Sequence, residues 1–207
     1  MKSKGLTVLI LLFSLLCLSL GQPSSAEEIP LAEATFAGGC FWCMESDFEA
    51  IPGVLSVLSG YTGGTVANPT YHEVSSGRTG HAEAIRVQYD PDQISYRELL
   101  TYFWHSVDPL DAQGQFCDRG DQYRSAIFYH DEEQHRLAEQ SKVELEDSDR
   151  FQQILTTEIN PSTTFYPAEE YHQDYYLKNP LRYQFYRFSC SRDRRLTQLW
   201  GDKANIH

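Results

Sequence analysis

Two kinds of hydrophobic pattern along the chain predict a mixture of strands and helices. Alternation of apolar and polar residues predicts strands over residues 35–37, 54–61, 82–89 and 122–129. Helical spacing predicts helices over residues 41–50, 96–107, 131–147 and 168–178. The elements alternate without the even spacing of a doubly wound sheet, so we expect an α+β fold in which helices pack on a small mixed β-sheet. The expected arrangement is a two-layer ferredoxin-like core with long loops, such as residues 108–120, and an irregular C-terminal tail over residues 181–200.

The first 26 residues have the pattern of a cleavable secretory signal peptide. Lys2 and Lys4 precede an apolar stretch over residues 6–20, and small residues follow at Ser24–Ala26. A retained membrane anchor is the weaker alternative, because the apolar stretch is shorter than about 18 residues. We therefore expect cleavage near Ala26, a single domain over residues 27–207, and an exported, periplasmic or extracellular protein with no stable membrane insertion.

The net charge of −12 restricts the classes of partner that the chain can bind. An acidic domain is a poor ligand for nucleic acid or for anionic lipid, so no nucleic-acid partner is expected. The size fits one domain with its own core, for which we expect a monomer.

Five cysteines are present, and Cys17 lies in the predicted signal peptide. For the other four, an exported protein commonly forms two structural disulfides. Cys40 and Cys43, however, lie three residues apart at the first turn of a predicted helix. That spacing favours a redox pair over a structural disulfide.

A glycine turn places Cys40 at the start of this helix. The strand over residues 35–37 is followed by Gly38 and Gly39, which permit a tight turn into the helix. Free backbone N–H groups and the helix dipole stabilise an anion at such a position. The sequence therefore predicts a lowered pKa for the Cys40 thiol and partial ionisation to the nucleophilic thiolate.

Four motifs in this order resemble the A-type peptide methionine sulfoxide reductases. They are Gly39–Glu45 (GCFWCME), Gly80–Glu83 (GHAE), Asp118–Ser125 (DRGDQYRS) and Tyr171–Tyr175 (YHQDY). One such motif alone would be weak evidence, but four in one order are strong evidence. The resemblance implies thiol-dependent reduction of methionine S-sulfoxide, free or in proteins, and hence repair of oxidised exported proteins.

The resemblance also implies roles for individual residues. Cys40 matches the nucleophile of the family, and Glu83 matches the acid that protonates the sulfoxide oxygen. A carboxyl group in an aromatic pocket should have a raised pKa and stay protonated near neutral pH. On sequence alone, Glu83 would be read as an ordinary strand glutamate.

The remaining matched residues would bind the substrate. Tyr71 and Tyr123 match the tyrosines whose hydroxyl groups hold the oxygen, and Asp118 matches a polar residue near the same site. Phe41 and Trp42 match the aromatic pair that receives the methyl group, although without the resemblance they would be read as packing residues. His172 is interpreted as a hydrogen-bonded structural residue.

The resolving cysteine is not fixed by the sequence. A sulfenic acid on Cys40 would condense with a second thiol to a disulfide. Cys43, where the family commonly has glycine, is the first candidate because it is one helical turn away. Cys190 in the tail is the second candidate and could relay the disulfide outward, while Cys117 could also be within reach.

A thioredoxin-like reductant would then regenerate the dithiol, and no metal, nucleotide or flavin cofactor is implied. The main alternative is a thiol–disulfide oxidoreductase that uses the Cys40/Cys43 pair. Two further alternatives are a structural zinc site made of the four cysteines and a protein that binds oxidised proteins without catalysis. The wide separation of Cys117 and Cys190 disfavours zinc.

Overall fold

The computed structural model describes residues 31–204. The predicted signal peptide lies outside the described residues. The strands are β1 (Ala32–Gly38), β2 (Val54–Thr62), β3 (Ala82–Tyr89), β4 (Gly114–Gln115), β5 (Asp118–Arg119), β6 (Ser125–Tyr129), β7 (Glu158–Pro161) and β8 (Tyr166–Pro167). The helices are α1 (Phe41–Glu49), α2 (Tyr71–Ser75), α3 (Tyr96–His105), α4 (Glu132–Asp147), α5 (Tyr175–Lys178), α6 (Pro180–Ser189) and α7 (Arg192–Trp200). Short 3₁₀ helices cover Asp121–Tyr123, Glu170–His172 and Gly201–Lys203.

A six-stranded sheet with the order β7-β6-β1-β3-β2-β8 forms the centre of the fold. Its four middle strands, in the order β6-β1-β3-β2, pair with one another antiparallel as in a ferredoxin-like core, while β7 pairs with β6 in parallel. The sheet is therefore mixed, and the predicted α+β fold with a ferredoxin-like core is confirmed.

The hydrophobic core lies between this sheet and helices α1 and α3. Phe36 of β1 stacks on Phe103 of α3 with ring centroids 5.1 Å apart and contacts Phe48 of α1 at 5.3 Å. All three side chains are buried. A capping box of Ser95 and Glu98 starts α3, as the sequence predicts. This packing fixes β1 and α1, and with them the turn between the two elements.

The C-terminal tail is not irregular, which corrects the prediction from sequence. It forms helices α6 and α7, with Pro180 at the start of α6. The buried faces of these helices include the guanidinium groups of Arg187 and Arg192, which are 6% and 1% exposed. Arginine at buried positions hides the apolar stripe by which a helix is recognised in a sequence.

Three smaller differences from the predicted elements concern segments near the site. The helix predicted over residues 168–178 is divided into a 3₁₀ turn and α5, because Asp174 adopts a left-handed conformation with φ 51°. The predicted loop over residues 108–120 contains the β4–β5 hairpin. The strand predicted from residue 122 begins at Ser125, after the 3₁₀ helix that contains Tyr123.

One disulfide ties the tail to the rest of the domain. It joins Cys117, between β4 and β5, to Cys190, which ends α6, across 73 residues of sequence. Among residues 31–204, no helix has both the length and the apolar character to cross a membrane.

Candidate active site

The turn between β1 and α1 places the Cys40 sulfur. Cys40 caps α1, and its carbonyl oxygen accepts hydrogen bonds from the backbone N–H groups of Cys43 (3.1 Å) and Met44 (3.3 Å). Gly39 has φ +82°, and a Cβ atom there would lie 2.6 Å from the Cβ of Gln115. Both the backbone angle and the close approach require glycine. The predicted strand-to-helix turn with the thiol at the helix start is confirmed.

The prediction of a lowered pKa for Cys40 is wrong. Burial raises the pKa of the Cys40 thiol well above its ordinary value. Its hydrogen bond to Cys43 and the nearby acidic groups of Cys43, Glu83 and Asp118 raise the pKa further. The Cys40 side chain is 7% exposed, so the loss of solvent outweighs the helix N-terminus.

Glu83 lies on β3 with its carboxyl group directed at the start of α1. Its Oε2 accepts a hydrogen bond from the Phe41 backbone N–H at 3.1 Å. Burial raises the pKa of Glu83 to about 8, and the acidic groups of Asp118 and Cys43 contribute to the increase. The carboxyl group is therefore protonated at neutral pH and can donate a proton, as the sequence analysis expects.

Three further polar groups from separate elements face the same space. Tyr71 starts α2, Tyr123 ends a 3₁₀ helix and Asp118 belongs to β5. Burial raises the pKa of Tyr71 to about 12, and the acidic groups of Glu83 and Cys40 contribute to the increase. Burial also raises the pKa of Tyr123. Both phenols therefore stay protonated and can donate hydrogen bonds.

Glu169 holds the start of α2 in place. Its Oε1 accepts a hydrogen bond from the Tyr71 backbone N–H at 2.9 Å, and its Oε2 accepts one from the Tyr61 hydroxyl at 2.8 Å. Thr70 caps α2 through a capping box with Glu73. These bonds connect Tyr71 to the sheet and to the chain just before His172.

Aromatic contacts fix the rings of Phe41 and Trp42. The Trp42 indole N–H donates a hydrogen bond to Nδ1 of His172 at 3.0 Å, and the indole stacks on Tyr175 at 3.7 Å. The Phe41 ring is buried, 5.0 Å from the His172 ring. Burial lowers the pKa of His172, so the imidazole is neutral and can accept this hydrogen bond. His172 thus acts on Trp42 and does not line the cavity.

The predicted catalytic and substrate-binding residues line one cavity of about 60 Å³. Its walls are formed by Cys40, Phe41, Trp42, Tyr71, Glu83, Asp118, Tyr123 and Tyr186. A larger cavity of about 580 Å³ lies elsewhere, between α3, α4 and α7, and contains none of these groups. The small cavity is therefore the candidate active site, because it combines a thiol, a protonated acid and aromatic walls.

Tyr186 and Glu169 contribute to the site but are not predicted from the sequence. The Tyr186 hydroxyl donates a hydrogen bond to Oδ2 of Asp118, and its ring contacts Trp42 edge to face. One signal was available: Tyr186 lies four residues before Cys190, so a helix over the tail would place both on one side. For Glu169, one of many acidic residues in a loop, the sequence offers no comparable signal.

The four cysteines of the described chain form two separate pairs. Cys40 and Cys43 are free thiols and are both buried, whereas Cys117 and Cys190 form the disulfide. Cys190, the second predicted resolving cysteine, is therefore not a free thiol in this structure. Cys117 is exposed and next to Asp118. Within residues 31–204, the four sulfurs do not assemble into a zinc site.

A group of three carboxylates lies where α1 meets the start of α5. Oxygen atoms of Glu45, Glu49 and Asp174 lie within 4.8 Å of one another. The Tyr176 hydroxyl donates to Glu49 at 2.6 Å, and Lys178 Nζ lies 3.7 Å from Asp174. This group belongs to the packing of α1 against α5 and does not line the cavity.

Comparison with known proteins identifies related chains. The family described as "Peptide methionine sulfoxide reductase" matches residues 32–204. The peptide methionine sulfoxide reductase MsrA of Bacillus licheniformis is 54% identical over 170 residues, which are 82% of this chain and 94% of that protein. The MsrA/MsrB protein of Vibrio cholerae is 47% identical over 205 residues, or 95% of this chain. The chain spans only 54% of that longer protein.

Solved structures have the same fold. The reduced form of Mxr1 from Saccharomyces cerevisiae has a TM-score of 0.67 at 32% identity, covering 75% of this chain and 90% of Mxr1. A second structure holds Mxr1 in complex with Trx2, with a TM-score of 0.50 at 25% identity and coverage of 73% and 88%.

Proposed function

The chain belongs to the peptide methionine sulfoxide reductase family, and on that premise we propose that Cys40 removes the oxygen from methionine S-sulfoxide with Glu83 as the acid. One observation carries the proposal: a thiol and a buried carboxyl group of raised pKa line the same cavity. A thiolate displaces oxygen from sulfur only when that oxygen is protonated or strongly hydrogen-bonded. Glu83 supplies the proton at neutral pH.

The cavity residues bind the sulfoxide group from two sides. The methyl group lies against the rings of Phe41 and Trp42, and the oxygen accepts hydrogen bonds from the hydroxyl groups of Tyr71 and Tyr123. Asp118 lies at the same wall, where Tyr186 holds its carboxyl group. A cavity of about 60 Å³ admits the end of one side chain and little else.

The oxygen transfer balances with these groups alone. The Cys40 thiol loses its proton as its sulfur bonds to the sulfoxide sulfur, the oxygen takes the proton of Glu83, and methionine leaves as the resulting hydroxyl group passes to Cys40. The products are methionine and a Cys40 sulfenic acid. The proton that Cys40 loses replaces the one that Glu83 gave, so the carboxyl group is restored.

Cys43 is the proposed resolving cysteine. Its backbone N–H donates to the carbonyl oxygen of Cys40 at 3.1 Å and both cysteines are buried free thiols, so the sulfenic acid forms one helical turn away from the Cys43 thiol. Condensation gives a Cys40–Cys43 disulfide and one water molecule. Cys190 would act in this role only after reduction of its bond to Cys117.

A thioredoxin-like dithiol is the proposed reductant. The complex of Mxr1 with Trx2 supports this class of partner. Two thiols of the partner supply the two electrons and two protons that restore the pair. No cofactor takes part in these steps.

Repair of oxidised exported proteins is the proposed role in the cell. It rests on the signal-peptide pattern of residues 1–26 and on an oxidising compartment, in which methionine oxidation requires a reversing enzyme. The proposal treats residues 27–207 as one domain that acts as a monomer.

The alternative of a thiol–disulfide oxidoreductase is disfavoured by the groups around Cys40. Thiol–disulfide exchange needs only thiols, whereas Glu83, Tyr71 and Tyr123 line the same cavity as Cys40. An acid of raised pKa and two hydroxyl groups have a purpose when an oxygen must leave sulfur.

Turnover tests the proposed function. The two separated sulfoxide epimers of a methionine peptide are incubated with dithiothreitol and either the wild type or the Cys40→Ser variant. We expect methionine from the S epimer with the wild type only. Equal rates for the two proteins would refute the mechanism, and stable peptide binding without methionine would favour a non-catalytic role.

A further inference from the structure

The loop over residues 168–173 holds two separate parts of the cavity through its side chains. The backbone N–H of Tyr71, at the start of α2, donates a hydrogen bond to Oε1 of Glu169 at 2.9 Å. The indole N–H of Trp42, on α1, donates one to Nδ1 of His172 at 3.0 Å. Tyr71 belongs to the side of the cavity that binds the sulfoxide oxygen, and Trp42 belongs to the side that receives the methyl group. One loop therefore supports both sides.

Other contacts of the same two side chains reinforce this support. Oε2 of Glu169 accepts a hydrogen bond from the Tyr61 hydroxyl at 2.8 Å. The His172 ring lies 4.4 Å from the Tyr71 ring and 5.0 Å from the Phe41 ring, measured between centroids. A displacement of the loop would therefore disturb the oxygen side and the methyl side in the same event.

The Gln173 side chain fastens this loop to the sheet. Its Oε1 accepts a hydrogen bond from the backbone N–H of Ser59 at 2.9 Å, and its Nε2 donates one to the carbonyl oxygen of Ser59 at 2.9 Å. Nε2 also donates to the carbonyl oxygen of Ala168 at 2.9 Å, which joins the two ends of the loop. Gln173 is buried, and its amide uses both N–H groups and the oxygen.

The short strand β8 explains why a side chain is needed at this edge of the sheet. β8 pairs with β2 over two residues, and the Ala168 N–H then donates to the carbonyl oxygen of Ser59 at 2.9 Å. The chain turns away from the sheet after Ala168, and the Gln173 amide takes the place of a strand residue beside Ser59. Because a buried backbone N–H requires an acceptor, the loop is held at this one register.

We propose that Gln173 is a positioning residue for the reaction: through the loop over residues 168–173, its amide sets the positions of Trp42 and Tyr71 together. The inference rests on the proposed function for its effect on turnover, while the hydrogen bonds can be followed without substrate. A sulfoxide whose methyl group and oxygen are both held imprecisely is poorly aligned with Cys40 and reacts slowly.

Hydrogen exchange followed by NMR tests the inference without substrate. Three N–H groups report on the loop: the backbone N–H groups of Ser59 and Tyr71 and the indole N–H of Trp42. Gln173→Met has a side chain of similar length but makes none of the three hydrogen bonds. We expect this variant to exchange all three N–H groups at least about tenfold faster than the wild type.

Two further variants separate the branches of the loop. Glu169→Leu should accelerate exchange at the Tyr71 N–H, and His172→Ala should accelerate exchange at the Trp42 indole, each without the other. Only the change at Gln173 should affect both groups, because it alone releases the whole loop.

Gln134→Met is the matched control. Gln134 is also a buried glutamine whose amide accepts from a backbone N–H, that of His130 at 3.0 Å, and donates to a backbone carbonyl group, that of Glu33 at 2.7 Å. It lies on α4 and does not line the cavity. Gln134→Met should leave the exchange of the Tyr71 and Trp42 groups and the turnover of sulfoxide unchanged.

Turnover distinguishes a positioning role from a purely structural one. Gln173→Met should lower kcat/KM for a methionine S-sulfoxide peptide by about 10- to 100-fold. In a Tyr71→Phe background the same change should lower kcat/KM by a smaller factor, because part of its effect acts through the Tyr71 hydroxyl. Equal factors in the two backgrounds would refute the positioning role.

Unchanged exchange at Tyr71 or at Trp42 in folded Gln173→Met would also refute the inference. If this variant does not fold, exchange in the wild type at low urea concentrations decides. The reporter groups of Ser59, Tyr71 and Trp42 should then open in one reaction with the same dependence on urea, and different dependences would refute the inference. A wild type that forms no methionine refutes the proposed function, whereas the exchange data still decide whether Gln173 couples Trp42 to Tyr71.

Discussion

Oε2 of Glu83 lies 3.1 Å from the backbone nitrogen of Phe41, the first residue of the helix that Cys40 caps. This single hydrogen bond stabilises the carboxylate, yet burial outweighs it and keeps the acid protonated. The same bond ties the acid on β3 to the helix that places the nucleophile.

Replacement of Glu83 by glutamine should lower kcat/KM for a methionine S-sulfoxide peptide by about 10² to 10⁴, the usual range for loss of a general acid. The amide keeps an acceptor for Phe41 but supplies no acidic proton. In the wild type, kcat should fall as the pH rises through about 8, because the acid loses its proton. The variant should lack this dependence. Exposed Glu170→Gln is the control, and a variant with wild-type rates would contradict the assignment.

The raised pKa of Glu83 should also make stability depend on pH. Its folded-state pKa of about 8 lies above the ordinary value of 4.5, so the folded protein binds this proton more tightly than the unfolded chain does. Burial also raises the pKa of Glu45, to about 7, so this group changes the stability with pH in the same direction as Glu83. The free energy of unfolding should therefore decrease between pH 5 and about pH 8. Urea denaturation at several pH values measures the free energy of unfolding of the wild type and of Glu83→Gln. The decrease with rising pH should be smaller in the variant.

Replacement of His172 by alanine leaves the Trp42 indole N–H without its acceptor. We expect KM to rise by about 3- to 10-fold, because one hydrogen bond of about 1 kcal/mol positions the ring, while kcat changes less. His172→Asn, with a carbonyl oxygen that can accept, should recover part of the loss. A fall in kcat beyond about 100-fold in both variants would instead indicate that His172 transfers protons.

Removal of the Cys117–Cys190 disulfide should destabilise the domain. A bond that closes a sequence separation of 73 residues is worth about 4 kcal/mol in the chain-entropy account. The double variant Cys117→Ser/Cys190→Ser should therefore melt about 10 °C below the wild type in the absence of reductant. With the disulfide of the wild type fully reduced, the two melting temperatures should agree. If the two melting temperatures still differ, the destabilisation comes from packing of the serine side chains and not from loss of the disulfide.

The sequence predicts the parts of the fold that depend on local patterns. The glycines before Cys40 and the capping box of Ser95 are local signals, and the structure has both features. Helices α6 and α7 were missed because Arg187 and Arg192 occupy buried positions, where a pattern analysis expects apolar residues.

The electrostatics of the site could not be predicted because they come from distant segments. A helix N-terminus predicts an acidic thiol at Cys40, but the fold adds burial and the carboxyl groups of Glu83 and Asp118. The bond between Cys117 and Cys190 likewise depends on how α6 packs, which four cysteines in a sequence do not determine.

Transfer of oxygen to Cys40 is the central claim, and a single turnover without reductant tests it most directly. Cys43→Ser with its Cys40 thiol reduced and Cys117–Cys190 intact is mixed with methionine S-sulfoxide peptide and dimedone, and the modified residue is located by mass spectrometry. We predict about one methionine per protein and a dimedone adduct on Cys40. Methionine formed with neither a dimedone adduct nor a disulfide on Cys40 would contradict transfer of the oxygen to Cys40. A Cys40–Cys190 bond formed at full rate would contradict the assignment of Cys43 as the resolving cysteine. Methionine formed by a Cys40→Ser variant would contradict the account as a whole.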